Sequence, residues 1–238
     1  MYIKEFEIAV DILPPDNEVK EIALRENLSY EDAEKKWYID IRRALYNKTV
    51  EETRCICAYF QRLFPKVQLG DFWKLTVILT NRQTYREIMT VGGVCEIRIF
   101  FDHKELIDSD DHDKKQRTLE LLMTGLKKFS DISGYPYEEF EKCADIIRNS
   151  DYNNTWVWQQ KKRGKKRALV TVHHEVRYID FTFEVYNGND LLYSNVKQIT
   201  PPDEWFYSFC MGNIKWESSD RVVWYSRKGE VMDEFNFG

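Results

Sequence analysis

Long hydrophobic runs are missing from this chain, and with them the membrane-spanning class. No stretch nears the roughly 20 apolar residues that a spanning helix needs. The start, Met1-Tyr2-Ile3-Lys4-Glu5, carries charge at once and holds no apolar signal core. Cysteine is scarce and odd in number: Cys55, Cys57, Cys95, Cys143 and Cys210. Cys55-x-Cys57 has no second pair to complete a zinc site, and the scatter is no disulfide framework. A reducing, cytoplasmic compartment is expected. Glycine-rich phosphate loops, nucleophile elbows and paired metal motifs are all absent, so no cofactor is expected. A flexible linker is missing too.

What is present describes an ordinary folded protein. The chain has 238 residues, of which 43% are hydrophobic and 32% charged, enough to bury a sizeable core. Forty acidic residues outnumber 35 basic ones for a net charge of −5. That balance speaks against a general nucleic-acid binder and leaves a basic protein partner open.

The apolar spacing predicts an α+β fold. Phe6, Ile8, Val10 and Ile12 alternate with Glu5, Glu7 and Asp11, the pattern of a half-buried strand. Helices follow over Asn17 to Arg25, from Ser29, and again from the capping box Thr49-Val50-Glu51-Glu52 to Pro65. Ala33, Trp37, Ile41 and Ala44 form the stripe of the second. Trp73 to Leu79, Tyr85 to Val91 and Cys95 to Phe101 read as a three-stranded antiparallel meander.

A helical hairpin occupies the middle. Leu119, Leu122, Leu126 and Phe129 make one stripe, widened by Met123 and Ile132, and Ser133-Gly134 stops it. Pro136 then opens a second helix with Phe140, Cys143, Ala144 and Ile147 inward.

Beyond it the helical period disappears. Trp156 to Gln160, Ala168 to Val176, Tyr178 to Tyr186 and Leu191 to Ile199 read as strands, and three short ones close the chain. The apolar phase moves from even to odd positions near Tyr178, which requires a bulge or tight turn. We therefore expect antiparallel sheets packed on a central helical hairpin and an N-terminal group of helices. Two subdomains, 1–103 and 104–238, or one unbroken domain both fit this pattern.

Four features carry candidate chemistry. Asp102, His103, Asp110, Asp111, His112 and Asp113 could hold a divalent metal, as in a metal-dependent hydrolase at Asp102, His103 and His112. The glycine and terminal glutamate of a calcium loop are missing, and carboxylates before a helix are explained by its positive end, so no metal is expected. His173 and His174 are neighbours in a strand and point to opposite faces, with His174 inward. Lys161, Lys162, Arg163, Lys165, Lys166 and Arg167 surround a turn beside Trp156 and Trp158, where cations and rings could meet a nucleic acid. A solvated hairpin tip explains the same run. Finally, aromatics make up 15% of the chain, including Tyr135, Tyr137 and Trp205-Phe206-Tyr207, more rings than one sheet face needs.

In style, an acidic aromatic-rich α+β chain without catalytic motifs resembles bacterial immunity and antitoxin-type proteins, which neutralise a toxin by binding it. That resemblance implies a non-catalytic cytosolic interaction protein with a protein partner, a basic toxin domain being one such partner, and brings no site residues with it. From the residues themselves, Asp108, Asp110, Asp111, Asp113, Tyr135 and Tyr137 are the expected contact surface, with the acidic groups steering a basic partner. Nucleic-acid binding through the basic hairpin is the alternative.

Overall fold

Three strands of strict alternation stack their apolar residues into rows. In the computed structural model, which describes residues 2–82, 86–102 and 104–238, these are β1 (Glu5–Val10), β2 (Lys74–Thr80) and β4 (Val94–Phe100). Phe6, Leu75 and Cys95 form one row, Ile8, Val77 and Ile97 the next, and Val10, Leu79 and Ile99 the third. All nine are buried. β3 (Ile88–Val91) completes a sheet of order β1-β2-β4-β3.

The expected antiparallel meander is corrected here. β1, β2 and β4 run parallel, and only β3 is antiparallel. Gly92 and Gly93, both at positive φ, close a two-residue hairpin from β3 to β4. β2 then lies against β4 rather than β3. Period-two patterning reports which residues share a face but says nothing about strand order or direction.

Helices α1 (Asp16–Glu26), α2 (Tyr30–Trp37) and α3 (Arg43–Leu63) connect β1 to β2. Ser29 caps α2 by accepting from the Asp32 N–H at 3.1 Å, as its sequence position suggests. The helix expected to begin at Thr49 does not begin there. α2 passes through a π turn, Tyr38–Arg42, directly into α3. No breaker lies between Arg43 and Lys48, so Thr49 sits buried within a helix whose N–H groups are already satisfied. The π turn adds a residue and advances the helix face by about 100°. Leu45 therefore replaces the expected Ala44 against Ile12, Val19, Ile22, Ala33 and Trp37, and Ala44 is exposed.

After a short turn α4 (Lys104–Ile107) comes the hairpin of α5 (Asp111–Ser133) and α6 (Glu138–Asn149). Asp110 caps α5 by accepting from the Asp113 N–H at 2.9 Å, and Gly134 ends it at φ 75°. Tyr137 rather than Pro136 is the residue before α6. The stripe of Leu119, Leu122, Met123, Leu126 and Phe129 is buried, but Ile132 is 63% exposed in the last turn. α3 and α5 cover the apolar face of the sheet. Gly125 lets α5 approach β2, since a Cβ there would collide with Val77.

That packing moves the division of the chain. The boundary expected near residue 103 falls instead between Tyr152 and Asn153, giving units Met1–Tyr152 and Asn153–Gly238. The stripe of α5 needs an apolar partner, and the first sheet supplies it.

In the second unit, β5 (Thr155–Arg163), β6 (Lys166–His174), β7 (Ile179–Asn187) and β8 (Asp190–Ile199) form an antiparallel meander in that order. The phase change at Tyr178 is a tight turn, with the Glu175 N–H donating to the Tyr178 carbonyl at 2.8 Å. A segment containing α7 (Glu204–Tyr207) leads to a second sheet, β9 (Ile214–Trp216), β10 (Arg221–Tyr225) and β11 (Val231–Asn236), of order β11-β10-β9. Val170, Phe181, Phe183 and Val185 of the β5–β8 meander share one core with Ile214, Val222 and Trp224 of the β9–β11 sheet.

Candidate binding cleft

The face of the first sheet turned away from α5 is charged. The residues alternating with the buried rows are Glu5, Glu7 and Ala9 on β1, Lys74, Thr76 and Ile78 on β2, and Val94, Glu96 and Arg98 on β4. Tyr46 of α3 and Arg42 of the π turn join this face to form a cleft of about 330 Å³. The inserted residue matters here because π turns recur at functional sites, where they re-aim a side chain. A second recess of about 230 Å³, lined by Tyr38, Arg42, Arg43 and Tyr46, adjoins it.

The charges are segregated. Just past the end of β1, Asp11 gathers three guanidinium groups. Arg42 donates to Oδ1 at 2.8 Å, while Arg82 and Arg98 donate to Oδ2 at 2.7 and 3.0 Å. Arg98 also reaches Glu96 at 3.2 Å. At the other end Lys74 lies between Glu5 at 2.8 Å and Glu7 at 2.9 Å, with Glu96 nearby on the face. Asp11 faces three guanidinium groups and Lys74 faces two carboxylates, while Glu96, bonded to Arg98, stands between the two groups.

Titration follows this pattern. Burial would raise the Asp11 carboxyl, but the hydrogen bonds and charges of Arg82, Arg42 and Arg98 outweigh it and hold it below the usual range. Burial would lower the Lys74 ammonium, yet Glu5 and Glu7 raise it. Burial, then the charge of Glu7, raises the Tyr46 phenol. Because the Asp11 value is depressed on folding, its contribution to stability is complete above about pH 4 and is lost as the pH falls below that. Urea midpoints between pH 3 and 6 should therefore show wild type and Asp11→Asn converging below about pH 4. Parallel curves would remove Asp11 as a source of the acid limb.

The surface expected from sequence is not assembled as one patch. Asp108, Asp110, Asp111 and Asp113 cluster at the start of α5, where Asp110 serves as the cap. Tyr135 and Tyr137 lie past its other end, about 35 Å away along a helix of 23 residues. Tyr135 is half-buried against Phe140, with ring centres 5.1 Å apart, and Lys127 lies 5.4 Å above the Tyr137 ring.

The basic hairpin forms as expected around Gly164 at φ 59°. Three of its six cations are held by the chain itself. Arg163 donates to the Ser218 carbonyl at 2.7 Å, Lys166 meets Asp220 at 3.0 Å, and Arg167 lies 4.2 Å over the Tyr186 ring. Lys161, Lys162 and Lys165 are exposed. Trp156 does not stand beside the tip. It packs on the core eight residues from Gly164, and Trp158 donates to the Gly212 carbonyl at 3.4 Å.

His174 is buried with its ring 5.7 Å from Tyr207, and His173 meets Glu175 at 2.8 Å, both on the faces expected. His103 lies outside the described residues. His112 is 2.9 Å from Gln116 and its ring edges onto Tyr152. Among the described residues, no group of three or more His, Cys, Asp or Glu side chains is brought together to hold a metal. All five cysteines are buried thiols. Burial pushes Cys143, with help from Glu139, and Cys210 up to about 11.

Two features were missed or only glimpsed from sequence. The charged cleft left a signal, charge at alternate positions of three strands, but only the strand order joins them. Trp205 stood within a recognised aromatic group, and the structure separates it from its neighbours: Tyr207 is buried, whereas Trp205 is 87% exposed. No known family, curated protein or solved structure matches the chain.

Proposed function

We propose that this is a non-catalytic protein-binding protein, and that the Trp205 segment anchors the partner. One observation carries the reading: a large indole stands in solvent on a rigid mount. Asp203 caps α7 by accepting from the Trp205 N–H at 2.8 Å, and its carbonyl accepts from Phe206 and Tyr207 at 2.9 and 3.1 Å. Tyr207 and Cys210 fix the segment in the core. Phe206 and Phe209 beside Trp205 are exposed as well. A ring carried on backbone that is already ordered spares the cost of ordering that backbone on binding, which favours it as a hot spot.

The acidic start of α5 supplies a second element. Asp108, Asp110, Asp111 and Asp113 raise the encounter rate of a basic partner without needing to touch it, which suits an immunity-type inhibitor of a basic toxin domain.

The test is recovery of a stoichiometric partner from host lysate by wild type and by Trp205→Ala, with and without nuclease. The exposed ring makes no contribution to the core, so the variant should fold. Trp205→Ala should weaken the purified complex by about 2 kcal/mol or more, roughly thirtyfold in Kd. Changing Asp110, Asp111 and Asp113 to Ser should slow association and flatten its salt dependence. A complex with unchanged Kd in Trp205→Ala removes the anchor. Recovery that collapses after nuclease would transfer the role to Lys161, Lys162 and Lys165 of the basic hairpin.

A further inference from the structure

We propose that the cleft of the first unit binds a small phosphorylated ligand of mononucleotide size, its phosphate held by Arg42, Arg82 and Arg98. The first ground is charge. Three guanidinium groups crowd around the Asp11 carboxylate, Arg98 sharing a second one with Glu96, in a partly desolvated cleft where their mutual repulsion is poorly screened. Three cations against two carboxylates leave this end suited to an anion. Asp11 orders the guanidiniums, yet Arg42 and Arg82 each approach it through a single nitrogen. Each guanidinium carries five N–H donors in a planar fork that matches phosphate oxygens.

Position is the second ground. Asp11 and Arg82 follow the C-terminal ends of β1 and β2, and Arg98 lies two residues before the end of β4. In open sheets with parallel strands, ligands bind in the crevice outside those carboxyl ends.

The third ground is the shape beyond the arginines. Arg42 and Tyr46 line both the main cleft and the adjoining recess, whose remaining walls are Tyr38 and Arg43. A planar base suits the wall made by the Tyr46 ring, the Tyr38 ring being covered already by Arg42 at 5.6 Å.

Calorimetric titration at low salt tests this with the four ribonucleoside monophosphates, their nucleosides and inorganic phosphate. At least one monophosphate should bind with unit stoichiometry, at least about tenfold tighter than its nucleoside and than phosphate. Arg42→Gln with Arg82→Gln should weaken it about ten- to a hundredfold, the loss expected for charge-assisted hydrogen bonds. Lys20→Gln on α1, an exposed charge elsewhere, should change nothing. If the double variant does not fold, Arg82→Gln alone serves, with a tenfold loss expected. No heat from any monophosphate at millimolar concentration overturns the proposal. So does binding that is unchanged in the arginine variants, or a monophosphate that binds no tighter than phosphate.

Discussion

Gly212→Ala is expected to be the most damaging single methyl group that can be added to this chain. Gly212 is buried between α7 and β9, and a Cβ there would fall on the Tyr225 carbonyl oxygen and on the carbonyl carbon and oxygen of Ser226. These are backbone atoms, so no rotamer change relieves the overlap. They also belong to a dense set of bonds. Asn213 and Tyr225 exchange hydrogen bonds at 3.1 and 2.8 Å, Arg227 donates to the Phe209 carbonyl at 2.8 Å, and the Trp224 indole donates to Cys210 at 3.0 Å. Making room would shift β10 and pull Trp224 from the core. We expect a loss of about 3 kcal/mol or more, beyond ordinary overpacking. Gly229→Ala is the control. It lies nearby at φ 82° with open space around it, so only backbone strain of about 1–2 kcal/mol applies. Urea midpoints followed by tryptophan fluorescence would rank the two, and an equal ranking would refute the steric argument.

Gly212 also marks the limit of what the chain reveals before it is folded. Its φ is not in the left-handed region, no turn motif surrounds it, and its need for space arises from residues 13 and 14 positions later. By contrast, the local features were legible. The helical hairpin follows from the spacing of Leu119, Leu122, Leu126 and Phe129, and its ends from Asp110 and Gly134. The phase change at Tyr178 forces a turn. Each depends only on neighbours within a turn or a strand. Ile132 continued the stripe on paper, but it falls where α5 runs past the core.

Parallel pairing was illegible for the opposite reason. Nothing in Lys74 to Thr80 states that it lies between β1 and β4, because alternation is the same for either direction. The cleft inherits that blindness. Glu5, Glu7, Lys74, Glu96 and Arg98 each read as one half of a solvated strand. Only the order β1-β2-β4 gathers them, and only the π turn brings Arg42 to Asp11. The acidic start of α5 was conspicuous because its charges are consecutive, whereas the ion pairs of the cleft join positions up to 87 residues apart.

Lys114 is the other residue whose meaning is set at long range, and Lys114→Met is expected to cost about 3–5 kcal/mol. A lysine in the first turn of α5 sits at the wrong end of the helix dipole. It is nonetheless fully buried, with its ammonium 2.6 Å from the Glu52 carboxylate of α3. This pair lies where α3 and α5 meet above the sheet, so removing the ammonium leaves a carboxylate in a site with little water. Methionine fills nearly the same volume, so the loss reflects charge rather than a cavity. Lys114→Met with Glu52→Leu should recover part of it, since the second substitution removes the carboxylate that the first leaves behind. If the double variant is no more stable than Lys114→Met, the ion pair is not the source of the loss. The same pair bears on the cleft. α3 carries Tyr46 and follows Arg42, so loosening its packing on α5 should blur the wall of the cleft before the sheet itself melts.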